Sequence, residues 1–219
     1  MKRITLALFA AGLLLTIAAC NNQQTASEAS KTSSADSLNK AKKEAPLPDS
    51  VMMKNWTAYM TPGDVHKMIA SWDGTWEGQV SMWMKPGEEP SKSTSTTINK
   101  MVMDGRYQVS THKGTMMGGM PFEGMGTLAY DNAKKVFIQS WIDNMGTGIM
   151  TVQGPWDAAT KSITLTGNYV DPGAGTGKEI PVKEVLKIID DNNHVFEMYT
   201  NDADGKEFKT MEIIYSRKM

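Results

Sequence analysis

From Gly74 to the C-terminus the residues alternate with a period of two, and this pattern decides the fold class. Trp76, Gly78, Val80, Met82 and Met84 alternate with Thr75, Glu77, Gln79, Ser81 and Trp83, as expected of a strand with one buried face. Pro86-Gly87-Glu88-Glu89-Pro90 then turns the chain. A Ser/Thr-rich strand runs to Met103, and Asp104-Gly105 is a short hairpin signal ahead of Tyr107-Gln108-Val109-Ser110. The same grammar predicts strands over 126–130 and 136–141 across the polar turn Asp131-Asn132-Ala133. It predicts more near 148–152, 163–169, 182–189, 195–200 and 208–216. A meander of about ten short strands without interleaved helices argues for an all-β chain and against a parallel sheet. An antiparallel up-and-down barrel closes such a meander and leaves no edge exposed. Only one short helix is predicted, at the N-terminal side. Pro62-Gly63-Asp64 starts it, Val65, Met68, Ile69 and Trp72 recur at helical spacing, and Gly74 ends it.

The N-terminus carries an address. Met1-Lys2-Arg3 is positive, 6–19 is apolar apart from Thr16, and Ala18 and Ala19 precede Cys20, which is the layout of a secretory signal peptide. The apolar run is shorter than the ~20 residues a spanning helix requires. Residues 1–19 are therefore expected to be a removable signal. Ile17-Ala18-Ala19-Cys20 resembles the bacterial lipobox, which implies lipidation of Cys20. The sequence has 1 Cys, so an internal disulfide is excluded, and acylation explains a lone cysteine in an exported chain. Several acyl chains, at ~0.8 kcal/mol for each buried methylene, would anchor the protein firmly. Asn21 follows the cysteine, and the lack of an aspartate there points to the outer membrane, facing the periplasm.

Residues 20–50 are polar and poor in large apolar side chains, so they cannot offset the entropy of ordering and read as a flexible tether. About thirty such residues span roughly 30 Å r.m.s.. Lysines 31, 40, 42 and 43 are balanced by Glu28, Asp36, Glu44 and Asp49, which argues against a polybasic grip on lipid. Residues 51–219 then form one domain, long enough for a core. The net charge is -1, and removal of the signal with its two positive charges, Lys2 and Arg3, makes it -3, too mild for a nucleic-acid partner; no basic patch is interleaved with aromatic residues.

Gly74-Thr75-Trp76, opening the first strand after a short helix, resembles the Gly-x-Trp signature of lipocalins and fatty-acid-binding proteins. The resemblance implies that Trp76 closes the floor of a lipocalin-like barrel and that Arg217, in Tyr215-Ser216-Arg217, packs over its ring. A wider resemblance covers nearly the whole domain. It includes His66-Lys67-Met68, Gly74-Thr75-Trp76-Glu77, Gly124-Met125-Gly126, Tyr130-Asp131 and Trp141-Ile142-Asp143. It continues through Tyr169-Val170-Asp171-Pro172, Gly177-Lys178, Phe196-Glu197-Met198-Tyr199, Asp204-Gly205-Lys206 and Tyr215-Ser216-Arg217-Lys218. These segments are similar to a family of secreted bacterial proteins catalogued as a domain of unknown function. That resemblance implies the fold and boundaries but no substrate, cofactor or catalytic residue.

Several motifs fail on inspection. Gly173-Ala174-Gly175-Thr176-Gly177-Lys178 suggests a phosphate loop, but Pro172 replaces the first glycine and Glu179 the metal-binding Ser or Thr. It reads as a loop whose glycines serve positive φ. Asp202-Ala203-Asp204-Gly205 lacks the calcium-loop ligands at its first and twelfth positions, which are Thr200 and Met211, and reads as a hairpin turn. His66, His112 and His194 have no metal-ligand spacing and read as surface or turn residues. Asp131 and Asp143 could converge with Tyr130 as an acid/base pair, although Asp131 reads better as a turn former.

The expected function is therefore a membrane-anchored envelope protein that is not an enzyme and needs no cofactor or resident metal. It would bind a small apolar ligand, a lipid or fatty acid, in the barrel cavity. Tyr107, Met125, Tyr130, Trp141 and Tyr199 are the candidate pocket residues. A filled barrel acting as a structural or protein-interaction lipoprotein is the alternative. A Cu(I)-handling protein built on the Met116, Met117, Met120 and Met125 loop ranks lower, as does an enzyme.

Overall fold

The computed structural model describes residues 46–175 and 177–219. Residues 47–219 form one compact unit. It begins with helices α1 (Asp49–Met60) and α2 (Asp64–Ala70) and continues as β1 (Gly74–Met82), β2 (Ser91–Val102), β3 (Tyr107–Thr115), β4 (Pro121–Asp131), β5 (Val136–Asp143) and β6 (Met150–Gly154). After the two-residue β7 (Trp156–Asp157) come β8 (Ser162–Val170), β9 (Glu179–Asp190), β10 (Asn193–Asn201) and β11 (Glu207–Arg217).

Every strand pairing is antiparallel, and strands neighbouring in sequence are mostly neighbours in the sheet. β1 meets β11 with Trp76 opposite Arg217, joining the two ends of the meander. β6 pairs with β8 over Thr151–Gln153, closing a barrel of ten strands with β7 appended to β8. The Asp104-Gly105 turn takes its shape from three consecutive positive φ values, at Met103, Asp104 and Gly105.

α2 plugs one end of the barrel. His66 Nδ1 accepts from the Gly63 N–H (3.1 Å), closing the helix start, while Ile69 is fully buried. The α2–β1 corner is stitched to its neighbours: Asp73 accepts from the Met101 N–H and from Gln108 Nε2 (2.8 Å each), and Gln108 Nε2 also reaches the Ile69 carbonyl (2.9 Å). Below it lies the core of Ile69, Trp72, Leu128, Phe137, Val152, Ile163, Leu165 and Val182. Two helices stand where the sequence predicted one. α1 has no buried face to register as periodic burial, and its first residues, Asp49 and Ser50, fall in the stretch read as tether.

Candidate functional site

The other half of the barrel is not packed in the same way. Strand alternation points Phe122, Trp141, Phe196 and Met211 inward, yet each keeps partial exposure, whereas core positions such as Phe137 and Val152 are almost fully buried. A ten-strand ring is wider than the eight-strand ring whose lumen side chains just fill. Inward glycines let neighbouring side chains lie close against the wall. Trp141 lies flat on β4 because Gly124 and Gly126 have no side chains there: a Cβ on Gly124 would come 2.4 Å from the indole Cζ2. The Trp141 Nε1 donates to Asp143 Oδ2 (2.8 Å), fixing the ring, and Phe122 stacks beside it with centroids 6.4 Å apart.

A polar row faces these rings. The Thr97 hydroxyl and His112 Nδ1 are 2.8 Å apart, and the His112 ring stands edge-on to Trp141 at 4.9 Å. Burial holds His112 down to about 4, so its imidazole is neutral at pH 7. Thr97 also hydrogen-bonds the Tyr215 phenol, which burial pushes up to about 12. Deeper in, Gln139 Nε2 donates to Glu184 Oε2 (2.9 Å), joining β5 to β9 although neither strand pairs with the other. Glu184 is only 3% exposed, and burial raises its carboxyl to about 7. The Ser95 hydroxyl is buried with no hydrogen-bond partner among the described residues. Rings on one side and polar donors and acceptors on the other suit an amphipathic molecule.

The five expected pocket residues are not brought together. Trp141 lies on the inner wall. Tyr130 points inward but is wedged between Phe137 (5.1 Å) and His66 (6.0 Å) against the core. Tyr107 and Met125 are on the outer face, 39% and 43% exposed, where the inward neighbours are Gln108 and the pair Gly124 and Gly126. Tyr199 is outside as well, its phenol donating to Glu197 (2.9 Å) and its ring lying under Lys183 (4.4 Å). These three placements correct the expected lining: alternation pairs residues on one face without saying which face is inner. Cys20 lies outside the described residues.

The barrel floor is built at Trp76, 1% exposed, with the Arg217 guanidinium 4.3 Å from its ring centroid. The histidines correct the surface reading. His66 and His194 are 5% and 4% exposed, and His112 is half-buried in the wall. His194 stacks on Trp76 at 4.3 Å and is held down to about 4 by burial and then by Arg217. Asp131 accepts from the Ala133 and Lys134 N–H groups and forms its turn, at the opposite end of the β4–β5 hairpin from Asp143. The acid/base pair is therefore not assembled.

The family described as "Protein of unknown function (DUF1579)" matches residues 61–217. The crystal structure of Rv2717c from M. tuberculosis is similar with a TM-score of 0.55 and 13% identity, covering 73% of this chain and 100% of that one. A redesigned β-barrel matches with a TM-score of 0.37 and 14% identity over 69% and 95% of the two chains. A de novo designed fluorescence-activating β-barrel does so with 0.37 and 13% over 68% and 96%. The Rv2717c likeness speaks to the fold alone. No curated protein matches the chain.

Proposed function

The chain belongs to the DUF1579 family, and on that premise we propose that it is a binding protein carrying a small amphipathic molecule, of the fatty-acid kind, in the open half of its barrel. The observation that supports this reading is the partial exposure of Phe122, Trp141, Phe196 and Met211 on the inside of a closed barrel. Side chains filling such a lumen would be buried as completely as Phe137 is. In this reading the apolar body of the ligand lies against Trp141 and Phe122. Its polar head meets Thr97, His112 and the Glu184 carboxyl, which burial raises to about 7.

The N-terminal pattern adds the address. Acylation at Cys20 anchors the protein to the outer membrane on the periplasmic side, and the polar segment read as a tether, 20–50, links the domain to it. Native mass spectrometry of protein purified from its own host tests the carrier reading. A retained small molecule near one per chain supports it. An empty domain would favour the alternative of a filled barrel that meets another envelope protein.

A further inference from the structure

α1 is a twelve-residue helix with no buried residue. At 100° per residue, Met52, Met53, Trp56, Tyr59 and Met60 fall within an arc of about 120°. They are 41%, 66%, 59%, 51% and 48% exposed; Lys54, Asn55 and Thr57 lie outside the arc, and Asp49 in the first turn falls within it. The stripe is held in a set direction. Asn132 Nδ2 donates to the carbonyls of Ala58 (3.3 Å), Tyr59 (3.2 Å) and Thr61 (2.9 Å), so the C-terminal end of the helix is clamped to the β4–β5 turn. Five large apolar side chains displayed together on a clamped helix call for a partner.

We propose that this face of α1 docks the domain on the lipid bilayer, lying in the interfacial plane with its stripe at the headgroup boundary. Trp56 and Tyr59 meet edge to face, 6.2 Å apart, and rings of this kind settle at headgroup level. Asp49 and Lys54 cancel, so the helix offers no net charge to a charged partner, and a zwitterionic surface suffices. The chain enters α1 from the polar segment that follows Cys20; this argument rests on the lipid-anchor reading above. Acyl chains at Cys20 would hold α1 within roughly 30 Å of the bilayer, so weak docking becomes persistent through a high effective concentration. Docking then turns the α2 end of the barrel towards the membrane and leaves the rim beside Trp141 and Phe122 facing away from it.

The test uses residues 47–219, one compact unit that carries neither the apolar signal nor Cys20, so that Met53→Cys takes a single nitrobenzoxadiazole label. Phosphatidylcholine vesicles should shift its emission to the blue and raise it, with no dependence on salt. The same label at Asp204, in the hairpin turn at the far rim, should not respond. Trp56→Glu should weaken vesicle binding at least tenfold and leave the melting temperature unchanged, because Trp56 is not buried in the fold. No shift at Met53, or equal binding by Trp56→Glu, overturns the proposal. So does a concentration-dependent dimer that Trp56→Glu dissolves, since it would give the face to a second copy. Docking without acylation of Cys20 in the native chain would sink the anchor and leave docking standing; acylation without a shift at Met53 would overturn docking alone.

Discussion

The Arg217 guanidinium stands 4.3 Å from the centroid of the Trp76 ring, and it reaches there from the last residue of the last strand to the third residue of the first. Its nitrogens also donate to the carbonyls of Asp73 (2.5 Å), Ser71 (2.7 Å) and Asp191 (3.0 Å), binding the α2–β1 corner and the β9–β10 turn to the same side chain. Trp76→Ala should cost roughly 3–5 kcal/mol, Arg217→Ala less, and the double variant about 0.5–2 kcal/mol less than their sum. Urea unfolding of the four proteins measures this coupling. Strict additivity would show that the cation and the ring do not support each other.

Gly124 is a packing glycine, since any side chain there runs into the Trp141 indole. Gly124→Ala should lower stability by about 1–3 kcal/mol and push Trp141 off the wall. Gly146→Ala is the matched control, because nothing lies within 4 Å of its Cβ position. Thermal melts with tryptophan fluorescence compare the two. Equal small effects would contradict the placement of the indole on β4.

Burial raises the Glu184 carboxyl from 4.5 to about 7, so between those values the folded protein holds a proton that the unfolded chain has released. The contribution of this group to stability is therefore full below pH 4.5 and lost as pH rises through about 7. Glu184→Gln removes that loss. Its stability relative to wild type should climb across this window by an amount on the order of 3 kcal/mol. His112 and His194 titrate in the opposite sense in both proteins and cancel in the difference. Denaturant titrations at a series of pH values provide the check, and parallel curves would place Glu184 in contact with water.

Cys20→Ser should abolish incorporation of a palmitate analogue in the native host, because the chain has no second thiol. Equal labelling of wild type and variant would sink the lipoprotein address.

The strand pattern was legible because turns announce themselves locally: Asp104-Gly105, Asp131-Asn132 and Asp202 through Gly205 each sit where the structure bends. The inner face was not, since alternation is symmetric between the two sides of a strand. Two signals could have resolved it. Gly124 and Gly126 share one face of β4, and a pair of glycines at that spacing marks where a large ring from the next strand, here Trp141, must lie. Glu184 interrupts the apolar register of Val182, Leu186 and Ile188, and a lone carboxylate on a core face marks a polar interior. The Thr97–His112 contact joins residues fifteen apart that face each other across the β2–β3 hairpin, so it follows from the register that the Asp104-Gly105 turn sets.

The carrier reading is tested most directly by titrating residues 47–219, without the apolar signal, with a fluorescently labelled long-chain fatty acid. The lumen account predicts saturable binding near one per chain, displacement by unlabelled lipid, and weakening by Trp141→Ala, whereas Tyr107→Ala and Tyr199→Ala on the outer face leave it unchanged. A folded chain, verified by circular dichroism, that gives no signal at saturating probe would contradict the account. So would binding that is lost in the outer-face variants and kept in Trp141→Ala.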